Sequence, residues 1–330
     1  MSKRCTFAGH EHRAQIDYFD KHFAEHGRHR DRPFQLAFPG RLHNLLPAVR
    51  GAAERLFHRD ALDIQFHTYI GHGRSSQACC INFLMPFADK PDLLSRWVGS
   101  VLGIDPPRML PLEKEIAGAH RFVAFEYTGP DDRDFLGEAE GRVPGRGANA
   151  TAADAAVAFE DTDGARHLLL IEWKYTEEYR SHRLSQDRNG KRQARYADKL
   201  FAPDGPVRAD LGLSLADFLH EPFYQLVRQQ MLAFQIERQS ERFDRARVLH
   251  LSPAGNHALH QVTSPAFATL GGMPHDDAFV AFASSLVDPA AFIGRTVEEA
   301  FAPLAGWAEA DWWPALAARY SSLCGGETDK

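Results

Sequence analysis

The chain has 330 residues, 44 % apolar and 25 % charged, which excludes disordered, collagen-like and disulfide-scaffold classes. That length allows about two domains or one core with large elaborations. No apolar run reaches the roughly 18 residues of a membrane span. The start MSKRCTFAGHEHR lacks a signal peptide's hydrophobic segment, and Cys5, Cys79, Cys80 and Cys324 form no CxxC ladder, so we expect a cytoplasmic chain with free thiols. The net charge of -6 sits in residues 276–330, nine acids against three bases, which leaves residues 1–275 neutral.

In chain order, residues 1–35 are polar and rich in histidine. His22 and His26 would share a helix face and could support a metal hydrolase, although no HExxH accompanies them. Helical spacing of apolar residues follows over Leu42 to Phe57 and Ser76 to Phe87, and Pro91 opens a third helix to about Gly103. Arg121 to Tyr127 alternates as a strand. After a Gly-rich loop, Ala153 to Phe159 and His167 to Tyr175 read as a hairpin turning at Asp163-Gly164. Residues 180–199 carry seven bases against two acids, a phosphate-facing stripe or a solvated face. Ser214 marks a helix entry, Pro222 starts a strong helix through EPFYQLVRQQMLAFQIER, Arg247 to Ser252 is a short strand, and the remainder reads as helical.

The hairpin carries the chemistry. Glu172 and Lys174 point to one strand face, and a turn centred on Asp163 sets Asp154 opposite Glu172. Two carboxylates about 5 Å apart on one sheet face repel unless a cation lies between them. Hard oxygen ligands suit magnesium or manganese, with the Trp173 carbonyl completing the protein's share. Asp154 and Glu172 would bind the metal and Lys174 would orient or activate water at a phosphodiester. The alternative is a plain strand-end ion pair between Glu172 and Lys174. Candidate DNA contacts are Arg180, Arg183, Arg188, Lys191, Arg192 and Arg195 on the basic stripe, and Gln225, Arg228 and Gln229 on the polar stripe of the Pro222 helix. Glu126, Glu138 and Glu140 are further acids near the sheet.

Asp154 followed by Glu172-Trp173-Lys174 on a hairpin, then a Gln-bearing helix, resembles the PD-(D/E)XK nuclease superfamily. RSSQACCINFLMPF at 74–87, LLLIEWKYTEEY at 168–179 and EPFYQLVRQQ at 221–230 are similar to a bacterial family of predicted restriction endonucleases within it. The resemblance implies an α/β fold with a restriction-endonuclease-like core, a mixed β-sheet flanked by helices. It also implies magnesium-dependent DNA cleavage with Asp154, Glu172 and Lys174 as the active site. Ala153 stands where the motif has proline, and Gln229 stands where exonuclease-like members carry tyrosine. Ser75, Ser76 and Gln77 belong to the resemblance but receive no chemical role from it.

The expected organisation is a mainly helical region at 1–104, the nuclease-like core at 105–256 and an acidic helical region at 257–330. A homodimer and a methyltransferase partner fit such an enzyme. The rival class is a catalytically inactive nuclease-fold protein that binds DNA or serves in assembly.

Overall fold

The computed structural model describes residues 6–57, 64–116, 119–142, 150–179 and 186–325. Four helices come first: α1 (Phe7–His22), α2 (Pro47–Phe57), α3 (Ser76–Leu84) and α4 (Pro91–Leu102). Ser75 caps α3 by accepting the Ala78 N–H, and Gly103 closes α4 in the left-handed conformation that glycine adopts without strain. The helix expected from Leu42 divides into a 310 segment, Phe38–Asn44, and α2. Proline at 47 has no N–H to give a helix running through it, but suits a first turn. His22 ends α1 and His26 lies beyond it against the His43 ring, centroids 4.0 Å apart, so the two do not share a helix face.

The strands follow: β1 (Arg108–Leu110), β2 (Glu113–Ile116), β3 (Ala119–Arg121), β4 (Val123–Tyr127), β5 (Ala153–Glu160) and β6 (Arg166–Trp173). Next come α5 (Gln186–Leu200), α6 (Leu215–Phe218), α7 (Phe223–Gln239) and β7 (Arg245–Ser252). The chain then adds α8 (Pro265–Ala268), α9 (Ala278–Ser284), β8 (Phe292–Thr296), α10 (Val297–Phe301) and α11 (Trp313–Arg319).

Six strands form one mixed sheet, the architecture that the resemblance implies. β5 and β6 pair antiparallel in the register of a turn at Asp163, Ala155 facing Ile171 and Ala156 facing Leu170. β6 pairs parallel with β7, and β7 parallel with β8. On its other edge β5 takes β4 at Ala153–Val157 and β1 at Ala158–Glu160. β8 corrects the wholly helical expectation for the C-terminal stretch. FIGRT has two apolar residues at its start and no alternation to mark a strand, and it forms along the edge of β7. The basic segment, in turn, contains a helix, α5, that charge counting did not signal.

Two cores cover the two faces, which explains why β5 and β6 read as continuous apolar runs rather than alternating ones. Val157, Leu169, Ile171 and Trp173 pack with α2, α3, α4, α10 and α11. Ala156, Leu168, Leu170 and Val248 pack with α6, α7 and α9. A buried polar network ties both ends of the chain to the residue after Lys174. The Tyr175 hydroxyl donates to Glu11, Gln15 donates to the Tyr175 hydroxyl (3.3 Å) and to the Arg319 carbonyl (3.2 Å), and Arg319 donates to the Asn44 carbonyl (2.7 Å).

Phe301 joins α10 to the first core, its ring 4.9 Å from Phe83, 5.3 Å from Trp97 and 5.9 Å from Trp173. Phe301→Ala should therefore destabilise the protein by about 3–5 kcal/mol. Urea unfolding followed by tryptophan fluorescence and by far-UV circular dichroism should shift together. A wild-type midpoint, or a shift in only one signal, would show that α10 is not integral to that core.

Candidate active site

Ala155 faces Ile171 on β6 and Phe125 on β4. One step along, Glu126, Asp154 and Glu172 occupy the ends of three adjacent strands, with Lys174 just beyond. Glu126 holds φ at +47°, in the left-handed region, at a cost of about 1–3 kcal/mol for a non-glycine residue. The left-handed residue turns the strand over, so Phe125 packs in one core and Tyr127 in the other.

Each acid has an assigned donor. Asp154 Oδ2 accepts the Trp173 N–H at 2.7 Å. Glu172, 6 % exposed, takes Lys174 Nζ on Oε1 at 2.5 Å and Gln229 Nε2 on Oε2 at 2.7 Å. Gln229 Nε2 also donates to the Ala152 carbonyl at 2.8 Å, which ties α7 to the start of β5. Glu126 Oε1 accepts Gln77 Nε2 at 2.7 Å, and Gln77 Oε1 accepts the His67 N–H at 2.8 Å. Ser76 Oγ donates to the Trp173 carbonyl at 3.1 Å. Ser75, Ser76 and Gln77 thus cap α3, hold the carbonyl between Glu172 and Lys174, and orient a carboxylate. Their signal in the sequence was three polar residues opening a mostly apolar helix. Their targets lie on strands far along the chain, out of reach of spacing arguments.

Burial, with Glu172 next and Glu126 adding, pushes the Asp154 carboxyl well above the usual carboxylate range. Burial also raises Glu126, with the Gln77 bond opposing it and Glu172 adding to it. Burial works against the Lys174 ammonium, but Glu172 foremost, with Tyr179, Asp154 and Glu177, outweighs it and holds its pKa well above that of a free lysine. The three carboxylates of the row, with Glu177 beside them, therefore share one ammonium. Hard oxygens short of positive charge are the donor set that a divalent cation fits. Among the described residues no three His, Cys, Asp or Glu side chains are gathered as a formed metal-binding group. The carboxylate oxygens are instead held by Lys174, Gln229, Gln77 and the Trp173 amide.

Two cavities meet at Glu126 and Asp154. The smaller, about 330 Å³, is bordered by Glu172 and by Gln225, Arg228 and Gln229 of α7. Arg228 donates to Thr151 Oγ1 (2.6 Å) and Glu138 Oε1 (3.1 Å), and the Tyr179 hydroxyl donates to Gln225 Oε1 (3.4 Å). Glu138 is buried and also accepts the Tyr196 hydroxyl. On α5, Arg195 and Lys191 pair with Glu140 at 2.7 and 3.8 Å, and the Arg192 guanidinium lies 4.4 Å from the Tyr224 ring centre. Arg180, Arg183 and the side chain of Arg188 lie outside the described residues.

A second constellation is structural. Ser252 Oγ lies 3.5 Å from His260 Nε2, and His260 Nδ1 lies 2.8 Å from Asp277 Oδ2. Ser252 is 1 % exposed, which denies a substrate access to a nucleophile there. Asp277 Oδ1 caps α9 by accepting the Phe279 and Val280 N–H groups.

A family model described as Restriction Endonuclease associating with ARP matches residues 15–321. No curated protein and no solved structure matches the chain. The matched span takes in the whole six-stranded sheet, both covering layers, and Gln77, Glu126, Asp154, Glu172, Lys174 and Gln229 together. The chain belongs to the restriction-endonuclease family that this model describes.

Proposed function

We propose that the protein is a PD-(D/E)XK-type nuclease that hydrolyses DNA phosphodiester bonds with a divalent metal ion, in the manner of a restriction endonuclease. The observation that carries this reading is the row of Glu126, Asp154 and Glu172 with Lys174 at the ends of adjacent strands, in a chain of a restriction-endonuclease family. Asp154, Glu172 and the Trp173 carbonyl would hold magnesium or manganese, with Glu126 as a third acid. Bound there, the ion would neutralise phosphoryl oxygens and lower the pKa of an attacking water.

The remaining work falls to the chain. Lys174, kept protonated by the acids around it, donates to the water and the scissile phosphate. Gln229 and Gln77 fix Glu172 and Glu126 without adding charge, and Ser76 fixes the Trp173 carbonyl. Gln225 and Arg228 of α7 border this centre, and with the basic residues of 180–195 they are the proposed contacts to the DNA. A non-cleaving binding protein on the same fold is the outcome if the first test below fails. Association with ARP, which the family description carries, is compatible with either outcome.

Purified protein should convert supercoiled plasmid to nicked or linear forms in magnesium, and EDTA should stop it. Asp154→Ala, Glu172→Ala and Lys174→Ala should each fall to about one-thousandth of the wild-type rate or less, since groups serving one ion fail together. Gln229→Ala should keep partial activity and raise the magnesium needed for half-maximal rate by about 10–100-fold. A Lys174→Ala protein that is folded by circular dichroism and cleaves at the wild-type rate would remove this site from the reaction.

Stability gives an independent test. The folded pKa of Asp154 lies above that of the unfolded chain. Between the two, the folded state therefore holds a proton that the unfolded state has lost, and stability falls as pH rises through the folded value. In EDTA, Asp154→Asn should melt higher than wild type at pH 8 and lose that advantage toward pH 4. Magnesium at pH 8 should raise the melting point of the wild type far more than that of the variant. A variant that melts lower in EDTA, with the magnesium shift intact, would contradict a metal site at Asp154.

A further inference from the structure

We infer that the wall of the larger cavity formed by Arg32, His67, Tyr69, His72 and Arg74 is a subsite for one unpaired nucleic-acid strand, with Arg32 and Arg74 on its phosphates and Tyr69 against a base. The choice of ligand rests on the nuclease reading above. The cavity, about 640 Å³, is bordered on one side by Glu126, Asp154 and Lys174 and on the other by Arg32, Tyr69 and Arg74. A ligand that spans it touches the acid row and this wall together.

Several arginines elsewhere on the surface are neutralised, while others, such as Arg133 and Arg242, donate to backbone carbonyls. Arg96, Arg108, Arg166, Arg208, Arg238 and Arg245 each pair with a carboxylate. Among the described residues Arg32 and Arg74 pair with none. Arg32 donates to the Gln35 amide oxygen at 3.3 Å, while Arg74 reaches only the Ala8 carbonyl at 3.4 Å and keeps its Nε buried without a partner. The histidine between them does not share the charge. Burial, and then Arg74, lowers the His72 pKa to about 4, so its imidazole is neutral at physiological pH. Two uncompensated guanidinium groups beside a phosphodiester site call for an anion, and the planar fork of arginine suits phosphate oxygens.

Tyr69 argues for an unpaired strand. Its ring is 54 % exposed, yet the turn that carries it is fixed. Ile70 is fully buried, Asn44 Nδ2 donates to the Ile70 and His72 carbonyls at 2.6 and 2.9 Å, and the Leu36 N–H donates to the Gly71 carbonyl at 2.9 Å. Gly71 permits this approach, since a Cβ there would lie 2.9 Å from Arg41 Cβ. An aromatic ring held out on a pinned backbone is a preorganised stacking platform, and stacking needs a base free of its partner.

The test is equilibrium binding of a fluorescent oligothymidylate and of a duplex of equal length, by anisotropy, in EDTA and in calcium. The wild type should prefer the single strand. Tyr69→Ala should weaken single-strand binding about 5-fold or more, and Tyr69→Phe should restore it. Arg32→Gln with Arg74→Gln should weaken it at least about 10-fold and flatten the salt dependence by up to about 1.4, at roughly 0.7 for each phosphate no longer neutralised. Variants that are folded by circular dichroism and bind like wild type, equal weakening on both ligands with Tyr69→Ala, or no wild-type binding under either condition would overturn the inference. Plasmid cleavage separates the two proposals. A wild type that cleaves while these variants bind normally leaves the nuclease reading standing and removes this one. A wild type that binds single strands through these residues but cleaves nothing does the reverse.

Discussion

One ammonium among three carboxylates, at one level across β4, β5 and β6, is the constraint that organises the rest of the molecule. Acids facing one another across a sheet cost stability, and burial increases the cost by removing the water that would screen them. The structure does not relieve that cost with further positive charge. Gln77, Gln229 and the Trp173 amide are neutral donors, which fix where each oxygen points and leave the shortage of positive charge intact. The nearest strong cation on α7, Arg228, is engaged by Glu138 and Thr151. Orientation and neutralisation have been separated, and that separation makes the row receptive to an added cation.

The two-layer covering makes this arrangement possible. α3 packs on one face through Phe83 against Trp173, 5.1 Å between ring centres, and delivers Ser76 and Gln77 from its first turn. α7 packs on the other through Leu226, Val227 and Met231 and delivers Gln229. The acids lie between the two layers, each within reach of a polar group from one of these helices or from β6. The apolar contacts of either helix therefore set the position of a polar group on an acid of the opposite strand end. Substitutions deep in either core would move the site without touching it.

Much of the centre was legible because it is local. A turn at Asp163-Gly164 fixes the pairing of Ala155 with Ile171 by counting alone, and with it the neighbourhood of Asp154 and Glu172. What spacing did not supply depends on distant segments. Ser76 finds its acceptor 97 residues away and Gln77 finds Glu126 49 residues away. Glu126 entered the sequence reading as one of three extra acids, because a left-handed backbone in the middle of VAFEY leaves no trace in residue type. β8 was missed for a related reason. FIGRT is a strand because β7 offers it an edge, and its own pattern is too short to say so. The basic segment misled in the other direction: its charge was plain, but its helix and its pairing with Glu140 were not.

The polar network at Tyr175 sets an order of events during synthesis. Gln15 and Arg319 are 304 residues apart, and Gln15 joins Arg319 to the residue that follows Lys174. Contacts of such separation close late, after the loop entropy between them has been lost. Leu251 and Asn256 already hold the backbone of Lys174 and Tyr175, whereas the side-chain network that clasps the Tyr175 hydroxyl is completed only after residue 319 has left the ribosome.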